Sequence, residues 1–371
     1  ALQVLDKAIE LDPKNAWTLA RKGDALRMLE HYDEALQVLD KAIELDPKNA
    51  WTLTSKGNAL RMLNRYDKAL QVLDKAIELD PEDAWALSSK GDTLRMLNRY
   101  DVALQVLDKA IELDPKNAWA LSSKGDTLRM LGRCEEALQS LDKSLELNPG
   151  DDWTLMLKGV VFCDVAQYGD ALVALDRALE LNPSDPWSHG FKGLALERLG
   201  KSEDALEMYK KATKLDPENL TWQAGVANVL YTMGQIKETS RIYSFIIDTA
   251  GKRPVDADIL SQIAWCNYRL KAYDEAIRLY REALALDAGN ISIQFTLALS
   301  FICSGRLELG LQEYRKGIEM SQKKSLLTRR GLIHEALHCL NEAQDARILS
   351  TDQKEVQDLF LLLQNEEEKA R

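Results

Sequence analysis

The sequence predicts an all-α protein assembled from stacked copies of one helical hairpin, and three observations carry that prediction. Seven of the nine prolines (Pro13, Pro47, Pro81, Pro115, Pro149, Pro183 and Pro217) stand 34 residues apart. Six of the eight tryptophans (Trp17, Trp51, Trp85, Trp119, Trp153 and Trp187) keep the same step. Helix formers dominate between these marks, and no strand-like alternation interrupts them. A fixed period of this length means a small unit was copied, each copy burying its apolar side only against adjacent copies. Such a chain grows by adding repeats, so its 371 residues do not imply separate globular cores.

Residues 1–15 are expected to be the second helix of a unit whose first helix is missing. Leu2, Leu5 and Ile9 then lack a covering helix, so this end is expected to fray or dock against another chain. The chain opens in mid-repeat without a Met, which points to a fragment.

Six regular units follow over 16–219. In the unit at 16–49, Asn15 stands where a short polar side chain caps the free amides of a first helix, as do Asn49, Asp83, Asn117, Asp151, Asp185 and Asn219 in later copies. Gly23 disfavours an isolated helix, and its return at Gly57, Gly91, Gly125, Gly159 and Gly193 needs a close approach of the partner helix. Ala35, Leu39 and Ala42 supply the facing side of a second helix. Asp33, Asp67 and Asp101 are candidate caps at its start, and Leu45–Asp46–Pro47 ends it, because the residue before proline is steered out of helical geometry.

These residues resemble the tetratricopeptide repeat family. Its pattern has a small residue at unit position 8, Ala at 20, a large apolar or aromatic residue at 24, Ala at 27 and Pro at 32; Gly23, Ala35, Leu39, Ala42 and Pro47 fill those places. The resemblance covers residues 1 to about 324 and implies an α-solenoid of about nine 34-residue helix-turn-helix repeats coiled into a right-handed superhelix. Two departures stand out: Trp lies at position 2 instead of 4, and Lys22 replaces the usual apolar residue at 7.

Units 50–83 and 84–117 share 27 of 34 residues, the mark of recent duplication. The three units over 220–324 are more individual. Ala227 and Ala264 replace the contact glycine, Tyr243, Tyr280 and Tyr314 take position 24, and extra residues around Gly251–Lys252–Arg253–Pro254 lengthen one turn. Residues 325–371 leave the pattern and read as a closing helical segment, with a further helix from about Thr351. Its run Leu359–Phe360–Leu361–Leu362–Leu363 is apolar nearly all round, so it either covers the end of the last repeat or pairs with another chain.

A net charge of −11 argues against a nucleic-acid partner. Ile291 to Cys303 is the longest apolar stretch, and Ser292, Gln294, Thr296 and Ser300 interrupt it, so no membrane span is expected. Cys134, Cys163, Cys266, Cys303 and Cys339 are far apart and odd in number, which fits reduced thiols of a cytoplasmic protein.

By resemblance, first-helix positions 2, 5, 9, 12 and 13 line a concave groove. The expected surface presents the six tryptophans of the 34-residue step, with Asp24, Asn58, Asp92 and Asp126 and then Arg27, Arg61, Arg95 and Arg129. Stacked rows of this kind suit an extended peptide, with aromatic faces gripping apolar side chains and arginines engaging carboxylates. The competing expectation is that Asp24 and Arg27 pair on one solvated helix face and that Trp17 packs over the proline turn beside Met28. Position 2 is Trp and position 5 is Ala20, Thr54 or Ser88, so the carboxylate clamp of chaperone-binding members is not expected. The row of Lys22 and its copies reads as a solvated face.

His334–Glu335–Ala336–Leu337–His338 fits H-E-x-x-H, in which two histidines one turn apart bind zinc and Glu activates water. Glu-Ala-Leu recurs at the same point of ordinary repeats, as Glu34–Ala35–Leu36 and Glu136–Ala137–Leu138, so two surface histidines would create the motif by accident. The expected function is accordingly a non-catalytic, cofactor-free scaffold that holds a peptide, helix or protein segment. Regulatory sensing of a small peptide or nucleotide is the alternative, and zinc hydrolysis a remote one. Self-association through the N-terminal half-repeat or the C-terminal apolar helix is a further expectation.

Overall fold

A computed structural model describes residues 2–252, 256–345 and 354–369; among them all regular structure is helical, in 21 helices. Arg253 and Pro254 of the lengthened turn, Thr351 and Ala1 lie outside the described residues. The chain forms two compact units, residues 1–131 with 139–149 and residues 132–138 with 150–371.

In the first unit, α1 (Leu2–Leu11) precedes the hairpins α2/α3 (Ala16–Met28, Tyr32–Leu45), α4/α5 (Ala50–Met62, Tyr66–Leu79) and α6/α7 (Ala84–Met96, Tyr100–Leu113). It closes with α8 (Ala118–Met130) and residues 139–147 of α9 (Cys134–Leu147). The second unit begins with the first residues of α9. It continues through α10/α11 (Asp152–Asp164, Tyr168–Leu181), α12/α13 (Pro186–Arg198, Ser202–Leu215) and α14/α15 (Leu220–Thr232, Ile236–Ala250). After these come α16/α17 (Ala257–Arg269, Tyr273–Leu286), α18/α19 (Ile291–Cys303, Leu307–Ser321), α20 (Leu326–Asp345) and α21 (Lys354–Lys369).

First helices start where the short polar residue stands. The Asn15 side chain accepts the Thr18 amide at 3.0 Å, and Asp83 accepts those of Trp85 and Ala86. Asp151 is the exception: its carboxylate takes the Thr154 hydroxyl, and no side-chain cap forms on an amide. Second helices correct an expectation. Their caps are His31, Arg65 and Arg99, none with a side-chain cap bond, while Asp33, Asp67 and Asp101 sit inside the first turn. There they complement the positive end of the helix dipole without accepting a cap bond.

Between the two helices every repeat passes through the left-handed region at unit position 15. Five copies do so without glycine, Glu30, Asn64, Asn98, Ala166 and Lys271 (φ 57 to 64°), and four with it, Gly132, Gly200, Gly234 and Gly305. The turn is fixed by a six-to-one bond, as in His31 N–H to Leu26 C=O at 2.9 Å. A side chain in this region costs about 1–2 kcal/mol, partly offset by the freedom a glycine adds to the unfolded chain. Lys271→Gly is therefore expected to stabilise the second unit by roughly 0.5–1 kcal/mol, read as a higher urea midpoint.

The hairpins close on glycine. An ideal Cβ on Gly23, Gly57, Gly91 or Gly159 would lie 2.5–2.6 Å from Cγ of Leu39, Leu73, Leu107 or Leu175, each fully buried. At Gly193 the partner is Tyr209, and Tyr243, Tyr280 and Tyr314 continue that column as the largest fully buried side chains among the described residues. The ring replaces leucine first opposite a kept glycine, Gly193, and then in the units that carry Ala227 and Ala264 at that point.

The closing segment covers the last repeat. Ile333, Leu337 and Leu340 of α20 and Val356, Leu359 and Leu363 of α21 join one core with Phe295, Leu299 and Phe301 of α18. The α21 run is thus two-sided: Leu359 and Leu363 face this core, while Leu361 and Leu362 are exposed. In addition α20 packs against α10, four repeats earlier, and meets Arg198 of α12 and Glu135 of α9, so the closing helix departs from neighbour-only stacking.

Candidate interaction surfaces

In the first unit the position-9 and position-12 residues form one ladder. Arg27 donates through Nε (3.0 Å) and Nη2 (2.8 Å) to Asp24 on its own helix, and Arg61 reaches Asn58 at 3.4 Å. From there the rungs cross repeats: Arg61 Nη1 donates to Asp92 at 2.7 Å, and Arg95 Nη1 to Asp126 at 2.7 Å. Each of these aspartates also holds the arginine of its own helix, Arg95 at 3.0 Å and Arg129 at 2.9 Å. Asn58 donates to Ser89 Oγ at 2.8 Å and to the Thr54 carbonyl.

Asp24 and Arg27 do pair at i,i+3 and stay partly exposed, whereas Asp92 and Asp126 are buried and their arginines only about a fifth exposed, so in the later copies the pair is not a solvated one. Both carboxylate oxygens of Asp92 and Asp126 are occupied by arginine, so this row is not open to a partner's cations. Desolvation lowers the Arg95 pKa, but Asp92 and Asp126 outweigh it, so its charge is held more firmly than usual.

The tryptophans lie beside the ladder. Arg27 stacks over Trp85 at 5.8 Å and Arg61 over Trp119 at 5.6 Å, each reaching the ring two repeats on. Trp51 and Trp85 have ring centroids 6.5 Å apart, and Arg21 lies over both Trp17 and Trp51. Trp17 is the most exposed at 65 %; in the second unit Trp153 is about half exposed, and Trp187 packs edge-on to Trp222 at 5.4 Å.

Two further rows run along the repeats, at positions 13 and 7. Met28, Met62, Met96 and Met130, at position 13, are 41–71 % exposed and form an apolar row next to the arginines. Their 34-residue step was visible, but they read as packing neighbours of tryptophan. The position-7 lysines pair with an aspartate at position 25 of the preceding unit: Lys22 with Asp6, Lys56 with Asp40, Lys90 with Asp74, Lys124 with Asp108 and Lys192 with Asp176, at 2.5–2.7 Å. Half-exposed pairs of this kind contribute about 0–1 kcal/mol each, so they favour register between repeats more than stability. The matching period of Lys and Asp was the available signal.

In the second unit the H-E-x-x-H residues do not converge: Glu335 and His338 share Arg198, while His334 faces Glu367. Glu335 accepts from Arg198 Nε at 3.2 Å and Nη2 at 2.5 Å, His338 Nε2 lies 3.2 Å from Arg198 Nη1, and His334 Nδ1 lies 2.7 Å from Glu367. Among the described residues no three metal-ligating side chains converge. Burial alone would push the Glu335 carboxyl up; the Arg198 charge and hydrogen bonds, helped by His338 and His334, hold it below the ordinary glutamate value. A carboxyl depressed by folding contributes stability above its unfolded pKa and loses it as pH falls through the folded one. The α20–Arg198 contact is expected to hold at neutral pH and to loosen in acid below the usual glutamate range. Hydrogen exchange of α20 amides checks this, and a Glu335→Gln chain should lack that acid step.

Comparison with known proteins gives a consistent result. A family model described as Tetratricopeptide repeat matches residues 1–50, 20–84, 54–118, 88–152, 158–219 and 191–238, and a second of the same description matches 257–290. Among curated proteins no sequence match was found. The Cut9 and Hcn1 hetero-tetramer of the APC/C yields a chain similar over 98 % of this chain and 81 % of its own, at 14 % identity and a TM-score of 0.54. A tetratricopeptide repeat protein from Parabacteroides merdae ATCC 43184 is similar over 68 % of this chain and 99 % of its own, at 17 % identity and a TM-score of 0.53. YrrB, described as a TPR protein with an unusual peptide-binding site, is 26 % identical over 54 % of this chain and all of its own, with a TM-score of 0.40. No helix among the described residues is long and apolar enough to cross a membrane.

Proposed function

The chain belongs to the tetratricopeptide repeat family, and from that premise we propose that it is a non-catalytic scaffold whose first unit holds a helix or extended segment of another protein. The observation that carries this is the exposed methionine row, Met28, Met62, Met96 and Met130, running beside arginine and tryptophan faces at one step per repeat. Unbranched thioether side chains adapt to varied apolar partners, and tryptophan and arginine are the residues that most often anchor an interface. The saturated Asp–Arg ladder serves as a rigid floor for this surface; its carboxylates already have their partners. The occupant is accordingly a segment with apolar side chains at regular spacing, bound in the groove that such repeats form.

A triple substitution Met62→Glu, Met96→Glu and Met130→Glu tests the proposal without touching the core. Co-purification of the wild-type chain with its partners, followed by the same experiment on the triple variant, should show at least tenfold lower recovery. Equal recovery on a variant of unchanged helicity removes the methionine row from the function.

A further inference from the structure

The Asp–Arg ladder of the first unit is complete in the repeats that start at 84 and 118 and open in the two before them. Asp92 is held by Arg61 at 2.7 Å and Arg95 at 3.0 Å, and Asp126 by Arg95 at 2.7 Å and Arg129 at 2.9 Å, so each carboxylate joins two arginines. Between Arg27 and Arg61 the same place in the row is Asn58. Its amide nitrogen donates to Ser89 Oγ at 2.8 Å and to the Thr54 carbonyl at 3.1 Å, which leaves the neutral Oδ1 for Arg61, at 3.4 Å. Arg27 consequently has a carboxylate on one side alone, Asp24, which it reaches through Nε and Nη2. Among the described residues no hydrogen bond reaches Arg27 Nη1 or Arg61 Nη2, and both side chains keep about a fifth of their surface exposed.

A second departure adds charge of the same sign at the same end. Position 6 is Ser55, Ser89 and Ser123 in the following copies and Arg21 in the first. Arg21 is exposed and lies over both Trp17 and Trp51; Trp51 touches Trp85, and Arg27 lies over Trp85 in turn. The ring faces thus connect Arg21 to Arg27 along one surface. Three arginines here, Arg21, Arg27 and Arg61, face one aspartate on their own helices, Asp24, whereas Arg95 and Arg129 are matched by Asp92 and Asp126. In a chain of net charge −11 this is a local excess of positive charge, carried by guanidinium groups stacked on rings, the form best suited to a carboxylate.

We propose that this end of the first unit is a carboxylate-binding subsite. An aspartate or glutamate side chain of the bound segment approaches the exposed side of Arg27 and Arg61 and supplies the charge that Asp92 and Asp126 supply within the chain. The chain's own copies identify the anion, since an aspartate carboxylate bridges the paired arginines in the next two repeats. This rests on the reading of the first unit as a segment-binding surface and gives the segment a direction: its acidic residue lies toward α2 and α4, and its apolar residues run on past Met96 and Met130.

Two synthetic peptide pools test it on the full chain by fluorescence anisotropy, identical in their leucines and differing only in glutamate or glutamine at the polar places. The wild-type chain should prefer the glutamate pool by about fivefold at low ionic strength, and salt should erode the preference. An Asn58→Asp chain closes the row from within, with a residue that the neighbouring copies Asp24 and Asp92 already carry there. It should lose the preference, bind the glutamine pool as wild type does, and unfold at a urea concentration no lower than wild type. Arg27→Gln should lose the preference as well. Acetate titration supplies an arm that needs no apolar contact: the Arg27 Nε–H signal in nitrogen-15 spectra should move in the wild-type chain and stay fixed in the Asn58→Asp chain. If neither pool binds while acetate gives that result, the subsite stands and the methionine surface falls. Equal binding of the two pools, a preference that survives Asn58→Asp, or an acetate response that is absent or the same in both chains overturns the proposal.

Discussion

A Gly91→Val chain is expected to lose about 3 kcal/mol of stability in its first unit, the upper part of the range for overpacking a filled core. The cause is local: an ideal Cβ on Gly91 would lie 2.5 Å from Leu107 Cγ, and Leu107 has no exposed surface into which to retreat. Valine would gain over glycine in helix propensity on an isolated helix, so a stabilised chain would mean that the α6/α7 packing described above is wrong. Leu107→Ala is expected to cost about 2–5 kcal/mol by opening a cavity. The two defects are complementary, so adding Gly91→Ala to Leu107→Ala should restore part of the loss, a coupling that distant sites do not show. Urea midpoints of the four chains read both effects.

The second large effect concerns Arg95. Removing it as Arg95→Met deprives Asp92 and Asp126, both buried, of one guanidinium each and leaves a gap in the ladder. Breaking a buried charge pair from one side costs about 3–5 kcal/mol, against about 0–1 for an exposed pair such as Lys56–Asp40. Arg95→Lys should recover little, because a single ammonium cannot span two carboxylates on adjacent repeats. The loss should persist at high salt, since buried pairs are screened far less than exposed ones. A loss below 1 kcal/mol that vanishes in salt would place the ladder at the solvated surface after all.

How much of this was legible in the chain depends on how far apart the deciding residues lie. Caps such as Asn15, the contact glycine Gly91 and the stop at Pro47 are each written within one unit and repeated, so sequence exposed them directly. The left-handed turn at position 15 shows itself in the copies that use glycine or asparagine, such as Asn64 and Asn98; Glu30 and Lys271 give no sign of it. The Asp–Arg rows were visible as rows, but their burial was not, because it depends on Arg61 reaching Asp92 of the next repeat. The seat of α20 was the least legible. Its contacts join residues more than 100 positions apart, and the histidine motif, read as an accident of two surface histidines, gave no sign that its glutamate serves Arg198. Gly331, inside a helix where glycine costs about 1 kcal/mol, was the one local hint that a backbone comes close there.

The measurement that most directly tests the account is hydrogen exchange of the chain with a captured partner bound to its first unit. Binding across the methionine row predicts added protection in α4, α6 and α8, the first helices that carry Met62, Met96 and Met130. Protection confined to the second helices α5 and α7, with none in α4, α6 and α8, would contradict it.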